Sequence, residues 1–402
     1  MVAFPMTRWK ALFLLCLAEL LGMSLWFSAS SVAPALRAEW GLSVSASGWL
    51  TLAVQAGFVA GTLISAILNL PDVLLAPRLV AAAALLGAAA NAALALFARD
   101  AAVALLLRFA TGFFLAGVYP PGMKIIASWF RQGRGLALGA LIGALTLGKA
   151  SPYLLNAFGG EDWRKKLLIV SLLAAIGGLI VLLVGEGPFA AGTAPFDARQ
   201  AVLVFRQRGV RLANLGYFGH MWELYAMWTW APVMIRASLD LRGASPALAE
   251  AASFLVIGSG AVGCVAAGFL ADRAGRTLVA SAAMGMSGAC CLAVGFLFGG
   301  SPFLLLALAV VWGMTVVADS AQFSACVTEL ADPRYLGTAL TMQTCVGFLL
   351  TTASIQLIPV LAGGAGWRYA FAILAPGPFL GAVAMLRLRA LPEAAHLAQG
   401  RR

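Results

Sequence analysis

The chain has 402 residues, 62% of them hydrophobic and only 11% charged, with a formal net charge of +11. Soluble domains carry about 25% charged residues, so a water-facing globule of this composition would not solvate its own surface, and the main solvent is lipid. The positive charge is thinly spread, with no basic run interleaved with aromatics, so no nucleic acid is expected as a partner.

In chain order, apolar runs near the length a bilayer requires, about 20 residues, lie at 11–35, 48–68, 79–98, 102–127, 135–157, 167–185, 212–235, 247–271, 278–298, 303–326, 336–361 and 369–388. They predict an all-α membrane protein with twelve transmembrane helices. The first run follows Arg8 and Lys10 as a signal peptide would, but it exceeds the roughly 7–15 residues of a signal h-region and reads as a retained helix. Glu19 interrupts it. Arg108 sits in the fourth run, and Lys124, after Pro120-Pro121 and near that run's cytoplasmic end, is read as snorkelling to the surface. Lys149 breaks the Gly-rich fifth run in "GKASP", with two readings open, the cavity or the surface. The stretch "GEGPFAAGTAPFDARQAVLVFRQRG" (185–209) is too short for a soluble domain and reads as a linker with room for one surface helix. His220 and Glu223 lie in the seventh run, and Asp319, beside Ser320 and Gln322, in the tenth.

The runs are rich in Ala, Leu and Gly, small residues that let helices approach closely in lipid, and the alternating segments of a barrel are absent. All six cysteines fall within runs and no CxxC occurs, so they read as packing residues with no disulfide framework and no metal site. With the N-terminus inside, both termini are cytoplasmic and the larger share of the 27 Lys and Arg falls on the cytoplasmic side, as the positive-inside rule requires of an inner-membrane protein. The net charge is then a topology signal and a contact for anionic membrane lipid.

The chain is also duplicated. Glu19, Leu20, Met23 and Trp26 recur as Glu223, Leu224, Met227 and Trp230, 204 residues later. Trp163-Arg164 recurs as Trp367-Arg368 at the same offset, Gly135 pairs with Gly337 at 202, and "SAILN" (65–69) pairs with "GFLAD" (268–272) at 203. Four landmarks in order predict two six-helix halves, residues 1–185 and 212–402, joined by a cytoplasmic linker at 186–211. Six is even, so the halves are parallel repeats about an axis along the membrane normal.

"GFLADRAGR" (268–276) resembles the major facilitator superfamily signature G-x-x-x-D-R-x-G-R between helices 8 and 9, matched by Gly268, Asp272, Arg273, Gly275 and Arg276. The copy between helices 2 and 3 is degraded, with Ser65 and Asn69 in place of Gly and Asp. "RFATG" (108–112) is similar to the helix-4 signature and "WFRQGRGLALG" (129–139) to the usual entry to helix 5. The resemblance implies two bundles rocking around a central site. It also implies that Asp272 forms a cytoplasmic latch across the seam by capping a helix and pairing with Arg, asymmetric because Asn69 has lost its charge.

The resemblance places helices 1, 4, 7 and 10 around the cavity, and each carries one ionisable residue: Glu19, Arg108, Glu223 and Asp319. A charge at mid-bilayer costs roughly 3 kcal/mol, so such groups face the bundle interior or water. Glu19, Met23 and Trp26 share one helical stripe, and His220, Glu223, Met227 and Trp230 share another, offering acids and aromatic walls to a pocket. His220 lies one turn from Glu223, close enough to relay a proton, and Arg108 needs a carboxylate or an anion, with Glu19 the natural partner. The expected substrate and proton pathway is therefore Glu19, Trp26, Arg108, Lys149, His220, Glu223, Trp230 and Asp319.

Together these features predict a secondary active transporter moving a small-molecule substrate by alternating access, coupled to protons, working as a monomer without a cofactor. No G-x-x-x-x-G-K-[ST] loop supports ATP drive. "GVYPPGMKIIASWF", with Arg108 and Lys149, resembles porters of small organic or inorganic anions. The alternative is a proton-driven drug or metabolite exporter, though helix 5 lacks the G-P-x-x-G-G ending of that branch. A transporter-like sensor would need an output element that the short linker and tail do not supply. An enzyme would need a nucleophile–base pair or metal ligands, and only two histidines are present.

Overall fold

A computed structural model describes residues 6–158, 162–190, 197, 203–332 and 336–401. Among these residues the regular structure is helical. The helices are α1 (Arg8–Met23), α2 (Ser28–Ser31), α3 (Ala33–Trp40), α4 (Val44–Ile67), α5 (Leu70–Val73), α6 (Ala76–Phe97), α7 (Ala101–Leu115), α8 (Tyr119–Trp129), α9 (Arg134–Phe158) and α10 (Trp163–Val181). Then follow α11 (Arg208–Asp240), α12 (Pro246–Gly258), α13 (Gly260–Ala274), α14 (Arg276–Ala293), α15 (Pro302–Val316), α16 (Ser320–Leu330), α17 (Leu336–Gly364), α18 (Trp367–Ala370) and α19 (Pro376–Arg389).

Against an expected twelve, nine helical stretches among the described residues are long and apolar enough to cross a membrane. The other three expected spans are helical but differ for visible reasons. The first is broken into α1, α2 and α3 at Ser24–Phe27 and at Val32. In α10, Arg164, Lys165 and Lys166 crowd the first turns, and α11 carries His220, Glu223 and several amphipathic aromatics. Of the expected linker, residues 191–196 and 198–202 lie outside the described residues, and the room for a surface helix is taken by one 3-10 turn at Leu203–Arg206. Gly159, Gly160 and Glu161, part of the Trp163 repeat, also lie outside.

Prolines shape the spans. Pro lacks an N–H and frees the carbonyl four residues earlier. Pro152 in α9 frees Gly148, whose carbonyl accepts from Ser151 Oγ at 2.8 Å. Pro359 in α17 frees Ile355, whose carbonyl accepts from Trp230 Nε1 at 2.7 Å. Pro120-Pro121 help to divide α7 from α8.

Helix packing repeats along the chain. α1 packs on α10 as α11 packs on α19, α6 on α10 as α14 on α19, and α1 on α9 as α11 on α17. Between the two sets, α4 meets α17, and α9 meets α12 and α13. Hydrogen bonds stitch α9 across this seam along its whole length. The backbone N–H of Leu136 donates to Asp272 Oδ2 at 3.3 Å, Lys149 Nζ to Tyr225 Oη at 2.7 Å, and Asn156 Nδ2 to Glu250 Oε2 at 3.3 Å. On the other side Thr351 Oγ1 donates to Gln55 Oε1 at 2.6 Å. The bundle thus has an Asp272 end and, opposite, a Glu39 end, where Arg164 and Trp163 Nε1 both hold Glu39.

Candidate substrate site

A cavity of ≈160 Å³ lies between the two sets of helices. Its walls are mostly apolar or aromatic, including Ile142, Leu145, Met221, Leu224 and Phe348, and hydroxyls of Tyr119, Tyr217, Tyr225, Ser320, Ser324 and Thr344 are spread over them. Of the expected pathway residues, Lys149 and His220 line it. Toward the Asp272 end it reaches Met123, Ser324 and Leu340, all partly exposed. Toward the Glu39 end it is closed by an aromatic layer in which Trp26 contacts Phe58, Tyr225 and Phe348.

Lys149 is buried, and its ammonium sits in a cage, 4.3 Å from the Trp26 ring centroid, 4.8 Å from Tyr225 and 5.0 Å from Trp228. Such faces attract a cation through the ring quadrupole. Of the two readings left open by the sequence, the structure takes the cavity. The local reason is Gly148: α1 and α9 touch there, and a Cβ on Gly148 would run into the backbone of Leu20. This contact sets Lys149 and Glu19 within electrostatic reach.

Glu19 is buried at 1% exposure, and among the described residues neither carboxylate oxygen has a hydrogen-bond partner. It presses on Gly122 in the first turns of α8, where any side chain would collide with Oε1. The positive end of that helix dipole favours an anion there, but no donor among the described residues reaches it. Unpaired buried carboxylates are rare because burial without a donor is costly.

Glu223, its repeat partner, is placed differently. Oε1 accepts from Trp312 Nε1 at 2.6 Å, from Cys291 Sγ at 3.1 Å and from Ser287 Oγ. The carboxylate therefore points between α14 and α15, away from the cavity, which corrects the expectation of two matching stripes. The positions 204 residues before those donors hold Ala83, Gly87 and Arg108. Two of these offer no side-chain donor, and the third points elsewhere.

Arg108 also departs from expectation. It is fully buried, but Glu19 is not its partner. Its guanidinium donates to the carbonyls of Leu25 (2.9 Å), Leu50 (3.4 Å) and Trp26, and to Ser28 Oγ at 3.2 Å. It fills the break between α1 and α2, where carbonyls have lost helical donors. Ser28 continues the chain of bonds to Asn91 Oδ1 at 2.6 Å, and Asn91 Nδ2 donates to Ser171 Oγ at 3.0 Å.

His220 meets Asp319 rather than Glu223: Nδ1 lies 2.8 Å from Oδ1, with both side chains buried. Trp230 does not line the cavity, since its N–H is engaged by Ile355 and its ring packs on Gly48. Tyr225, which no motif singled out, completes the Lys149 cage. Its sequence signal was only its place on the aromatic face of "WELYAMWTW". Among the described residues no three His, Cys, Asp or Glu side chains gather as a metal-binding set.

At the Asp272 end, the carboxylate caps the start of α9 and lies against Gly135, where a Cβ would collide with it. Among the described residues no Arg side chain pairs with this carboxylate. Arg276 forks instead onto Glu329 at 2.6 and 2.9 Å and reaches Gln322 Oε1 at 3.3 Å. Gly275 has φ +97°, a conformation that only glycine adopts freely, and Gly268 packs on the backbone of Gly135. Arg273 stacks on Phe269 at 3.9 Å.

The sequence model of the Major Facilitator Superfamily matches residues 15–355 and again 215–402. No curated protein matches the chain at a significant level. With a family match over nearly the whole chain and a cavity between packed helical bundles, this protein belongs to the Major Facilitator Superfamily, whose members are secondary transporters of small solutes.

Proposed function

We propose that the protein carries a small anion across the inner membrane by alternating access, coupled to protons, with both termini in the cytoplasm. The moving units are residues 1–185 and 212–402, joined by 186–211. The observation that carries the reading is Lys149, the one Lys or Arg in the cavity lining, with a single hydrogen-bond partner among the described residues. An ammonium has three N–H donors, so two remain for a solute.

Glu19 supplies the coupling. Ionised, it neutralises Lys149 from the α1 side. Protonated, it leaves the ammonium's charge to the solute. Loading a proton on Glu19 and an anion on Lys149 are then favoured together, which is the logic of symport. Glu223, whose Oε1 accepts from three donors, is a structural anchor of the second unit, and the His220–Asp319 pair lines the route as a second proton site.

The test is a thermal-shift screen of anionic, neutral and cationic solutes on purified protein, followed by counterflow in proteoliposomes. Anions should stabilise the protein and exchange, and Lys149→Gln should abolish both effects. Stabilisation by cations alone overturns the anion reading in favour of another solute class, and anion exchange unaffected by Lys149→Gln overturns Lys149 as the group that carries it.

A further inference from the structure

We infer, resting on the anion reading above, that the cavity selects a compact planar monocarboxylate, one six-membered ring bearing one carboxylate. Three features of the site lead there.

The first is charge. Lys149 is the one Lys or Arg in the lining, and the histidine that shares it is already 2.8 Å from Asp319. A second carboxylate on the solute would be desolvated without a cation and would meet Asp319 behind His220, a combination that costs several kcal/mol when unpaired. The site therefore fits one negative charge. The Lys149 ammonium donates to Tyr225 Oη, which leaves the phenolic hydrogen of Tyr225 free to donate onward. Lys149 keeps two N–H donors and Tyr225 one O–H donor beyond that bond, a donor set that a carboxylate's four lone-pair positions can accept.

The second is size. The cavity measures ≈160 Å³. A cavity of about 150 Å³ lined by aliphatic and aromatic side chains holds one benzene. A single ring fills the space, whereas acetate leaves most of it empty and a fused polycycle would extend into the mouth at the Asp272 end.

The third is the wall. The rest of the wall includes Ile142, Leu145, Met221, Leu224 and Phe348, with Trp228 in the cage itself. Flat aromatic faces and a polarisable thioether suit a ring edge or face.

The probes are benzoate, acetate, phthalate and benzylamine, titrated into the purified full-length protein by calorimetry and thermal shift, with labelled benzoate counterflow in proteoliposomes. Benzoate should bind at least about tenfold tighter than acetate, from burial of the ring, and phthalate and benzylamine should not compete with it. Lys149→Gln should abolish benzoate binding. Tyr225→Phe, which keeps the ring and removes the hydroxyl, should weaken it several-fold and serves if Lys149→Gln fails to fold. Acetate or phthalate binding as tightly as benzoate overturns the ring-monoanion assignment while leaving the anion reading intact, provided Lys149→Gln still abolishes binding. Binding of benzylamine, or of benzoate unchanged in both variants, overturns both.

Discussion

At the scale of single residues, Glu19 and Glu223 occupy repeated positions and have opposite surroundings, which separates their variants. Glu19→Gln fixes the neutral form. Exchange of labelled solute across proteoliposomes should persist, and accumulation driven by a pH gradient should vanish. Gradient-driven uptake surviving in this variant removes Glu19 from the coupling. Glu223→Gln leaves an amide against three donors and should mainly destabilise, by about 1–3 kcal/mol, with coupling retained per folded molecule; a thermal-shift series read beside uptake distinguishes the two. Glu39 gives a pH-dependent counterpart outside the membrane. The Arg164 guanidinium, with the Trp163 N–H, holds its carboxyl below the usual carboxylate range. A depressed pKa contributes stability above the unfolded value, about 4.3, and that stability is lost as pH falls through the lower folded value. Both groups are over a third exposed, so solvent screening limits the pair to about 0.5 kcal/mol. Glu39→Gln should lower the melting temperature slightly at pH 7, and the difference should close below pH 4. An equal difference at pH 3 and pH 7 counts against the ionic origin.

At the scale of elements, the Asp272 carboxylate caps the first turn of α9 and so joins the two sets of helices through a helix dipole. Asp272→Asn keeps an acceptor oxygen but removes the charge. It should raise labelling of cysteines placed at the Asp272-end mouth, at Ser324 for example, with little change in melting temperature. Unchanged labelling reduces Asp272 to a loop anchor. The turn at Pro392–Gly400 reinforces the same end. The Ala398 N–H donates to Glu329 Oε2 at 3.0 Å, Arg401 reaches the Asp272 carbonyl, and Leu397 is fully buried. Deleting residues 392–402 should therefore shift the labelling in the same direction as Asp272→Asn. The two changes together should be less than additive, since they share partners.

At the scale of the whole molecule, alternating access requires α4 to part from α17 where Gln55 and Thr351 now bond. A bifunctional crosslink between Gln55→Cys and Thr351→Cys, made reversible by reductant, should reduce uptake to background and release it on reduction. Full uptake with the crosslink in place rules out separation at this seam. The six native cysteines are largely buried, which keeps the labelling selective.

Composition and the apolar runs determine the solvent and the element type here: with 11% charge, the chain must bury its helices in lipid. The repeat and the signature at 268–276 determine the family, because Gly275 and Gly135 are demanded by local backbone and contact geometry that a short motif encodes. Lys149 and His220, which line the cavity, were legible as candidates because a polar or charged group in an apolar run has few other uses. What the sequence left undecided was direction and partnership. A helical stripe places Glu19, Glu223 and Trp230 on comparable faces, but which neighbour each group meets depends on rotation about the helix axis and on residues scores of positions away. Ser287, Cys291 and Trp312 turn Glu223 from the cavity, and the carbonyl freed by Pro359 claims Trp230. The break after Met23 draws Arg108 from Glu19. Tertiary packing decided these because a buried polar group goes to whatever partner lies in reach, and reach is a property of the assembled bundle.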